Sequence, residues 1–275
     1  MPVLISAEEL SAALDSPHPP IVLDVRWTLG GPPGHGEYLK GHIPGSVYVA
    51  LDDELARHGE PSEGRHPLPD IDELQSAARR WGISAGDSVV VHDDAGNLAA
   101  ARAWWLLRWA GLDDVRILDG ALAAWRSAGL PLDVDDVTPE PGTIELAHDA
   151  LPTLGLDDVL TFAESHVLLD ARAGERFRGE TEPIDPKAGH VPGAVSAPTG
   201  ENLDADGRFL PADVLRERFV SLGVTAGAPV GTYCGSGVTA AHQLAALAIA
   251  GFDGVLFPGS WSQWSNNDLP VATGT

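Results

Sequence analysis

Chemistry in this chain can be placed first at Cys234, its one cysteine, in the run Thr-Tyr-Cys-Gly-Ser-Gly-Val-Thr-Ala from Thr232 to Ala240. A run of strand type, Ala228 to Tyr233, leads into it, and a helical run, Val238 to Ala250, leads out. A thiol at such a junction meets converging backbone N–H groups and the positive end of a helix dipole. Those surroundings favour the thiolate, the form that attacks sulfur. Gly235 and Gly237 clear space around the sulfur and let amides turn toward it. A lone cysteine can equally be a small buried hydrophobe. Two further local readings fail on their neighbours. A cysteine phosphatase loop needs an arginine six residues on to clamp phosphate bidentately, and Ala240 stands there. Gly235 to Ala240 fits the dinucleotide pattern G-x-G-x-x-A, but no second nucleotide-binding half follows, and the next strand ends in Phe257-Pro258 rather than an acid.

The elements that must position this thiol are written twice. Ile21 to Arg26 followed by Gly41-His-Ile-Pro-Gly matches Val167 to Arg172 followed by Gly189-His-Val-Pro-Gly. Each is an apolar strand ending in Asp-x-Arg, then a loop. Further on, the strand and loop Val89 to Gly96 match Val230 to Gly237. The helices that follow end at Gly111 and Gly251, 140 residues apart, and that offset sets Asp94 opposite Cys234. Strands Val115 to Leu118 and Val255 to Phe257 come next, and Gly120 with Trp125, or Gly259 with Trp264, closes each copy. Order kept over so long a stretch marks a tandem duplication of one α/β unit.

Short apolar strands alternate with helical runs at Ile71 to Arg80, Leu98 to Ala110, Ala212 to Leu222 and Val238 to Ala250. This alternation predicts, in each copy, a mainly parallel sheet with helices on both faces. The expected organisation is an N-terminal domain over 1–130, a Pro- and Asp-rich connector over 131–152, and a C-terminal catalytic domain over 153–275. At the N-terminus a strand runs into a helix capped by Ser6, with Glu9 three residues on. Arg26, Arg172, His42 and His190 recur in both copies although only one has the thiol, so they read as structural. Trp104 and Trp105 read as core. The copy without a thiol reads as scaffold and cleft wall, with one active site at the domain interface.

A net charge of −23 argues against nucleic acid and anionic membrane surfaces as partners. An anionic substrate would need local cations and amides. One cysteine excludes an intrachain disulfide and any multi-cysteine metal site. No basic n-region or long apolar run is read in the chain, so a soluble cytoplasmic protein is the expectation.

The duplicated Asp-x-Arg and Gly-His-(Ile/Val)-Pro-Gly motifs, with Cys-Gly-Ser-Gly-Val-Thr-Ala in the second copy alone, resemble the two-domain rhodaneses, the thiosulfate and 3-mercaptopyruvate sulfurtransferases. The resemblance runs from about Ile5 to Leu269. It implies two rhodanese-like domains, the second catalytic, and a cysteine persulfide on Cys234. Thiosulfate enzymes of the family place Arg and Lys after the cysteine, and mercaptopyruvate enzymes place Gly and Ser. Gly235 and Ser236 are similar to the latter. The resemblance further implies Asp52 and His66 as partners of Ser236, and Arg176, in Glu175-Arg-Phe-Arg-Gly179, as the substrate's anion site. A second arginine of the mercaptopyruvate enzymes is replaced by Ile184, with Lys187 or Arg178 as the nearby cations.

The chemistry suits this set. The amides of Gly235, Ser236, Gly237, Val238, Thr239 and Ala240 would stabilise both the Cys234 thiolate and a terminal persulfide sulfur. Attack on mercaptopyruvate expels pyruvate enolate, which needs a proton, and a Ser236–His66–Asp52 relay would deliver it. Thiosulfate releases sulfite, which needs cations more than protons. The acceptor is then a thiol, a thioredoxin or cyanide; no cofactor or metal is expected, and the chain is expected to be monomeric. A non-catalytic sulfur carrier or redox-sensing module would also keep the cysteine.

Overall fold

The structure, a computed structural model, describes residues 2–275. Two compact units emerge. The first takes in the chain up to Ala56, Pro69–Ala150 and Ala205–Phe209. The second is Arg57–Leu68, Leu151–Asp204 and Leu210–Thr275.

In the first unit, strands β1 (Leu4–Ile5), β2 (Ile21–Asp24), β3 (Val47–Tyr48), β4 (Val89–His92) and β5 (Val115–Leu118) form one sheet in the order β1-β5-β4-β2-β3. In the second, β6 (Leu168–Asp170), β7 (Val195–Ser196), β8 (Val230–Tyr233) and β9 (Gly254–Leu256) follow the order β7-β6-β8-β9. Every pairing is parallel. A single parallel bridge from Thr153 to Leu256 stands where β1 stands in the first sheet. Both orders are therefore the same arrangement. All four residues of β4 and of β8 are buried, as expected for central strands covered on both faces.

The helical periodicity is matched closely: Ile71–Arg80, Ala100–Trp109, Ala212–Ser221 and Thr239–Ile249 are helices. Ser6 Oγ accepts the Glu9 N–H and Glu9 accepts the Ser6 N–H, closing the capping box of helix Ala7–Leu14. Trp104 and Trp105 are core residues, each 2 % exposed.

Duplication extends to single hydrogen bonds. Arg26 donates to both carboxylate oxygens of Asp24, at 3.0 and 2.6 Å, and to Gly41 O. Arg172 does the same with Asp170, at 3.0 and 2.6 Å, and with Gly189 O. Burial works against the Arg172 charge, but Asp170 overcomes it and holds the guanidinium protonated well above the ordinary arginine range. His42 stacks on Tyr38 and His190 on Phe177, with ring centroids 3.9 and 3.7 Å apart. Trp125 and Trp264 each donate Nε1–H to a carbonyl six residues on, at Pro131 and Pro270. The four recurring residues thus tie each Asp-x-Arg strand end to its own Gly-His-(Ile/Val)-Pro-Gly turn.

Two stretches pack differently from the sequence expectation. As far as Ala150, residues 131–152 belong to the first unit rather than to a free connector. Gly142 N–H bonds Arg79 O, Ile144 N–H bonds Ile83 O, and the amides of Ala147 and Ala150 bond the carbonyls of Ala110 and Trp109. Proline and aspartate removed the periodicity there, while the backbone still satisfies helix ends. Conversely, Arg57–Leu68 packs with the second unit. Its 3-10 turn Pro61–Glu63 lies against helix Ser260–Ser265.

Among the described residues no helix is long and apolar enough to cross a membrane.

Candidate active site

Cys234 follows the last residue of β8, five residues before helix Thr239–Ile249 begins, and is 1 % exposed. A parallel strand delivers it to the sheet's C-terminal edge, where loops of α/β folds carry chemistry. Gly237, at φ +80°, turns its N–H to the sulfur, 3.2 Å from Sγ. Left-handed φ without strain needs a glycine. The loop is pinned from helix Ser260–Ser265. Cys234 N–H donates to Ser260 Oγ at 3.1 Å, Trp261 N–H to Cys234 O at 3.0 Å, and Ser262 N–H to Gly235 O at 2.8 Å. Ser260 is itself held at φ +53°, a strained conformation for a side chain with Cβ. Val238 is buried and Thr239 opens the helix.

The first unit corrects the pairing of the two loops. Asp24 and Asp170 are equivalent, and their register partners are His92 and Tyr233. Asp93, rather than Asp94, therefore takes the place of Cys234. Leu122 N–H bonds Asp93 O just as Trp261 N–H bonds Cys234 O. The Asp93 carboxylate fills its own loop, accepting the N–H groups of Ala95, Asn97, Ala99 and Ala100 at 2.8 to 3.1 Å. Asp94 is at the surface, 3.4 Å from Arg26. The loop therefore turns amides inward in both copies: onto the Asp93 carboxyl in one and, through the Gly237 N–H, onto a sulfur in the other.

His66 and Ser236 meet in the second unit. Nδ1 of His66 shares a 2.7 Å hydrogen bond with Ser236 Oγ, and both side chains are buried. Segment Arg57–Leu68 supplies the histidine. Gly64, at φ +93°, brings this segment so close that a Cβ there would lie 2.8 Å from Gly259 O. Arg65 N–H then bonds Ser262 Oγ at 3.1 Å, and Asn267 holds Ser62 O at 3.0 Å. Asp52 lies in the first unit, in the helix Leu51–Glu54, where its Oδ2 accepts the Trp27 indole N–H at 2.9 Å.

Arg176 reaches the loop: a Cβ built at Gly235 would lie 3.6 Å from its Nη1. It also lies in a charge network with Glu182 and Asp185. The residue stacked on the histidine precedes His42 by four positions and His190 by thirteen, so the second copy is longer here. The added residues carry Glu182 and Asp185. Glu182 accepts from Arg176 at 2.6 Å and from Arg172 at 3.3 Å. Asp185 bridges Arg176, at 3.3 Å, and Arg65. Burial pushes the Asp185 carboxyl above the usual range, with Glu182 adding to the push and the two arginines opposing it.

Other cations named from sequence lie elsewhere. Lys187 gives its ammonium to Asn267 O at 2.7 Å, and Arg178 pairs with Glu180 at 2.7 Å on the surface. Ile184 is 43 % exposed. Sequence reasoning missed Arg65, Glu182 and Asp185. The unequal spacing of the two copies was the available signal for the last two.

The fold and the sequence have known relatives. The Rhodanese-like domain matches twice, over residues 6–128 and 156–267. SseB of Mycobacterium tuberculosis, provisionally named a thiosulfate sulfurtransferase, is 48 % identical over 99 % of this chain and 98 % of its own. A Pseudomonas aeruginosa protein provisionally named a 3-mercaptopyruvate sulfurtransferase is 46 % identical over 98 % of each chain. The crystal structure of SseA from Escherichia coli, described as a 3-mercaptopyruvate sulfotransferase with the rhodanese fold, superposes with a TM-score of 0.84. It is 31 % identical and covers 95 % of this chain and 99 % of its own. The chain belongs to the rhodanese family, with two copies of its domain.

Proposed function

We propose that the protein is a sulfurtransferase that takes sulfur from 3-mercaptopyruvate onto Cys234 and passes it to a thiol, a thioredoxin or cyanide. The observation that carries this donor is the 2.7 Å contact of His66 with Ser236, two residues from the nucleophile.

In the first half-reaction the Cys234 thiolate attacks the donor's sulfur. An S–S bond forms, the donor's C–S bond breaks, and its electron pair leaves on carbon as pyruvate enolate. The donor's thiol loses one proton and the enolate carbon gains one, so Cys234 ends as a persulfide anion and the product is pyruvate. Ser236 and His66 form a hydrogen-bonded pair suited to carrying that proton. Asp52 enters through its sequence motif, and Asp52→Asn tests its assigned part behind His66. The Gly237 N–H faces the sulfur that must carry negative charge. In the second half-reaction an acceptor thiolate or cyanide takes the outer sulfur and restores the Cys234 thiolate.

Thiosulfate is the second reading, favoured by the name of the mycobacterial relative. Gly235 and Ser236 supply no cation for its sulfite leaving group. Parallel steady-state kinetics with both donors separate the readings: the account expects the higher kcat/KM with mercaptopyruvate, and a higher value with thiosulfate reverses the order.

A further inference from the structure

We propose that Arg65 is the second cation for the donor's carboxylate beside Cys234, taking the place that Ile184 leaves without an arginine. The proposal rests on the mercaptopyruvate reading and names a binding residue for it.

Position is the first argument. A Cβ at Gly235, the residue after the nucleophile, would lie 3.1 Å from Nη2 of Arg65 and 3.6 and 3.9 Å from the two terminal nitrogens of Arg176. Two guanidinium groups from distant parts of the chain therefore converge on one point of the loop. A third cation at 235, as in the thiosulfate pattern, would meet both at contact distance. Glycine there is the complement of Arg65.

A protein carboxylate already displays the ligand's shape. Asp185 gives one oxygen to Arg65 Nη1 and the other to Arg176 Nη2. Paired arginines of this kind suit a planar carboxylate through their fixed N–H forks. Burial disfavours the charge on Asp185, which eases its displacement by an incoming carboxylate. Nη2 of Arg65 is the atom that faces Gly235, while its Nε is buried away from it. The side chain is 26 % exposed, so a small anion can reach it. Gly64 and the Arg65 N–H bond to Ser262 Oγ fix its direction of approach.

The other cations do not serve. Lys187 is held by Asn267 O and Arg178 by Glu180. Ile184 lines a cavity shared with Arg65 and Asp185, so an arginine restored at 184 would start within reach of the same network.

Kinetics of Arg65→Met, which keeps the apolar stem, test the proposal against mercaptopyruvate, with pyruvate as a competitive inhibitor. Pyruvate carries the carboxylate and needs no proton relay. Losing a charged hydrogen-bond donor should raise KM and the pyruvate inhibition constant together by about 10- to 100-fold while kcat stays within about threefold. Arg65→Lys should recover part of the loss, and Ile184→Arg added to Arg65→Met should lower KM again. A collapse of kcat with an unmoved pyruvate constant would make Arg65 a support for His66 and overturn the proposal. Turnover of mercaptopyruvate by the wild type with KM and the pyruvate constant unchanged in Arg65→Met overturns it alone. Absence of mercaptopyruvate turnover in the wild type overturns the donor reading and this proposal with it.

Discussion

Nδ1 of His66 stands 2.7 Å from Oγ of Ser236, though 170 residues separate them in sequence. The pair exists because Arg57–Leu68 leaves its own copy and packs with the second unit. A hydroxyl hydrogen-bonded to imidazole is a proton carrier, and it matters only for a leaving group that needs a proton. Ser236→Ala and His66→Gln should therefore each lower kcat for mercaptopyruvate by about 100-fold. Turnover with thiosulfate should fall far less, because sulfite leaves as a stable anion. Equal losses with the two donors would remove the proton-carrying role.

Gly64 offers a test of how that segment is held. An added methyl would meet Gly259 O at 2.8 Å, and φ +93° disfavours any side chain. Gly64→Ala should displace Arg65 and His66 together. Mercaptopyruvate turnover should drop as in His66→Gln, while the rate of Cys234 alkylation by iodoacetamide stays the same or rises. Unchanged turnover would mean that the segment tolerates the shift.

The Arg172–Asp170 pair is buried and shared with Glu182 and Gly189 O, and the Arg172 guanidinium lies 4.6 Å from the centre of the Trp261 ring. Removing one partner leaves an uncompensated charge. Asp170→Asn should cost about 3–5 kcal/mol in urea unfolding. Asp24→Asn should cost a similar amount, since Arg26 repeats the geometry. A loss below about 1 kcal/mol at both sites would contradict the structural role given to these residues.

Asp185 predicts a pH dependence. Burial holds its carboxyl above the ordinary value while Arg65, Arg176 and Glu182 face it. Between the ordinary and the raised values the folded protein keeps a proton that the unfolded chain has lost. This group's contribution to stability is therefore full below the ordinary carboxylate value and falls as pH rises through that window. Urea unfolding of wild type and Asp185→Asn across mildly acidic pH should show the variant gaining on the wild type as pH rises. Parallel curves would contradict the assignment.

Strands, helices and the duplication were legible because parallel strands buried on both faces are apolar runs, and helices carry their own period. The capping box of Ser6 and Glu9 was legible because it is local. The partner of Cys234 was misread by one residue. The helix ends at Gly111 and Gly251, 140 apart, chose Asp94, whereas strand register, like the match of Val89 with Val230 at 141 apart, selects Asp93. The two loops differ in length by one residue, and a helix-end count absorbs that silently. Arg65 could not be read at all. Nothing in Gly-Arg-His-Pro says that the segment packs with the second unit, since the reason lies in contacts such as that of Arg65 N with Ser262 Oγ. His66, two residues from Gly64, was named only through the family motif. Asp52 stays on that motif as well.

Sulfur on Cys234 is the central claim, and mass spectrometry of the intact protein after stoichiometric 3-mercaptopyruvate tests it most directly. The account predicts a wild-type chain heavier by one sulfur atom, with pyruvate released in equal amount and the added mass lost on treatment with cyanide. Cys234→Ser should remain at its starting mass. Pyruvate release without added sulfur on the wild type, or undiminished turnover by Cys234→Ser, would contradict it.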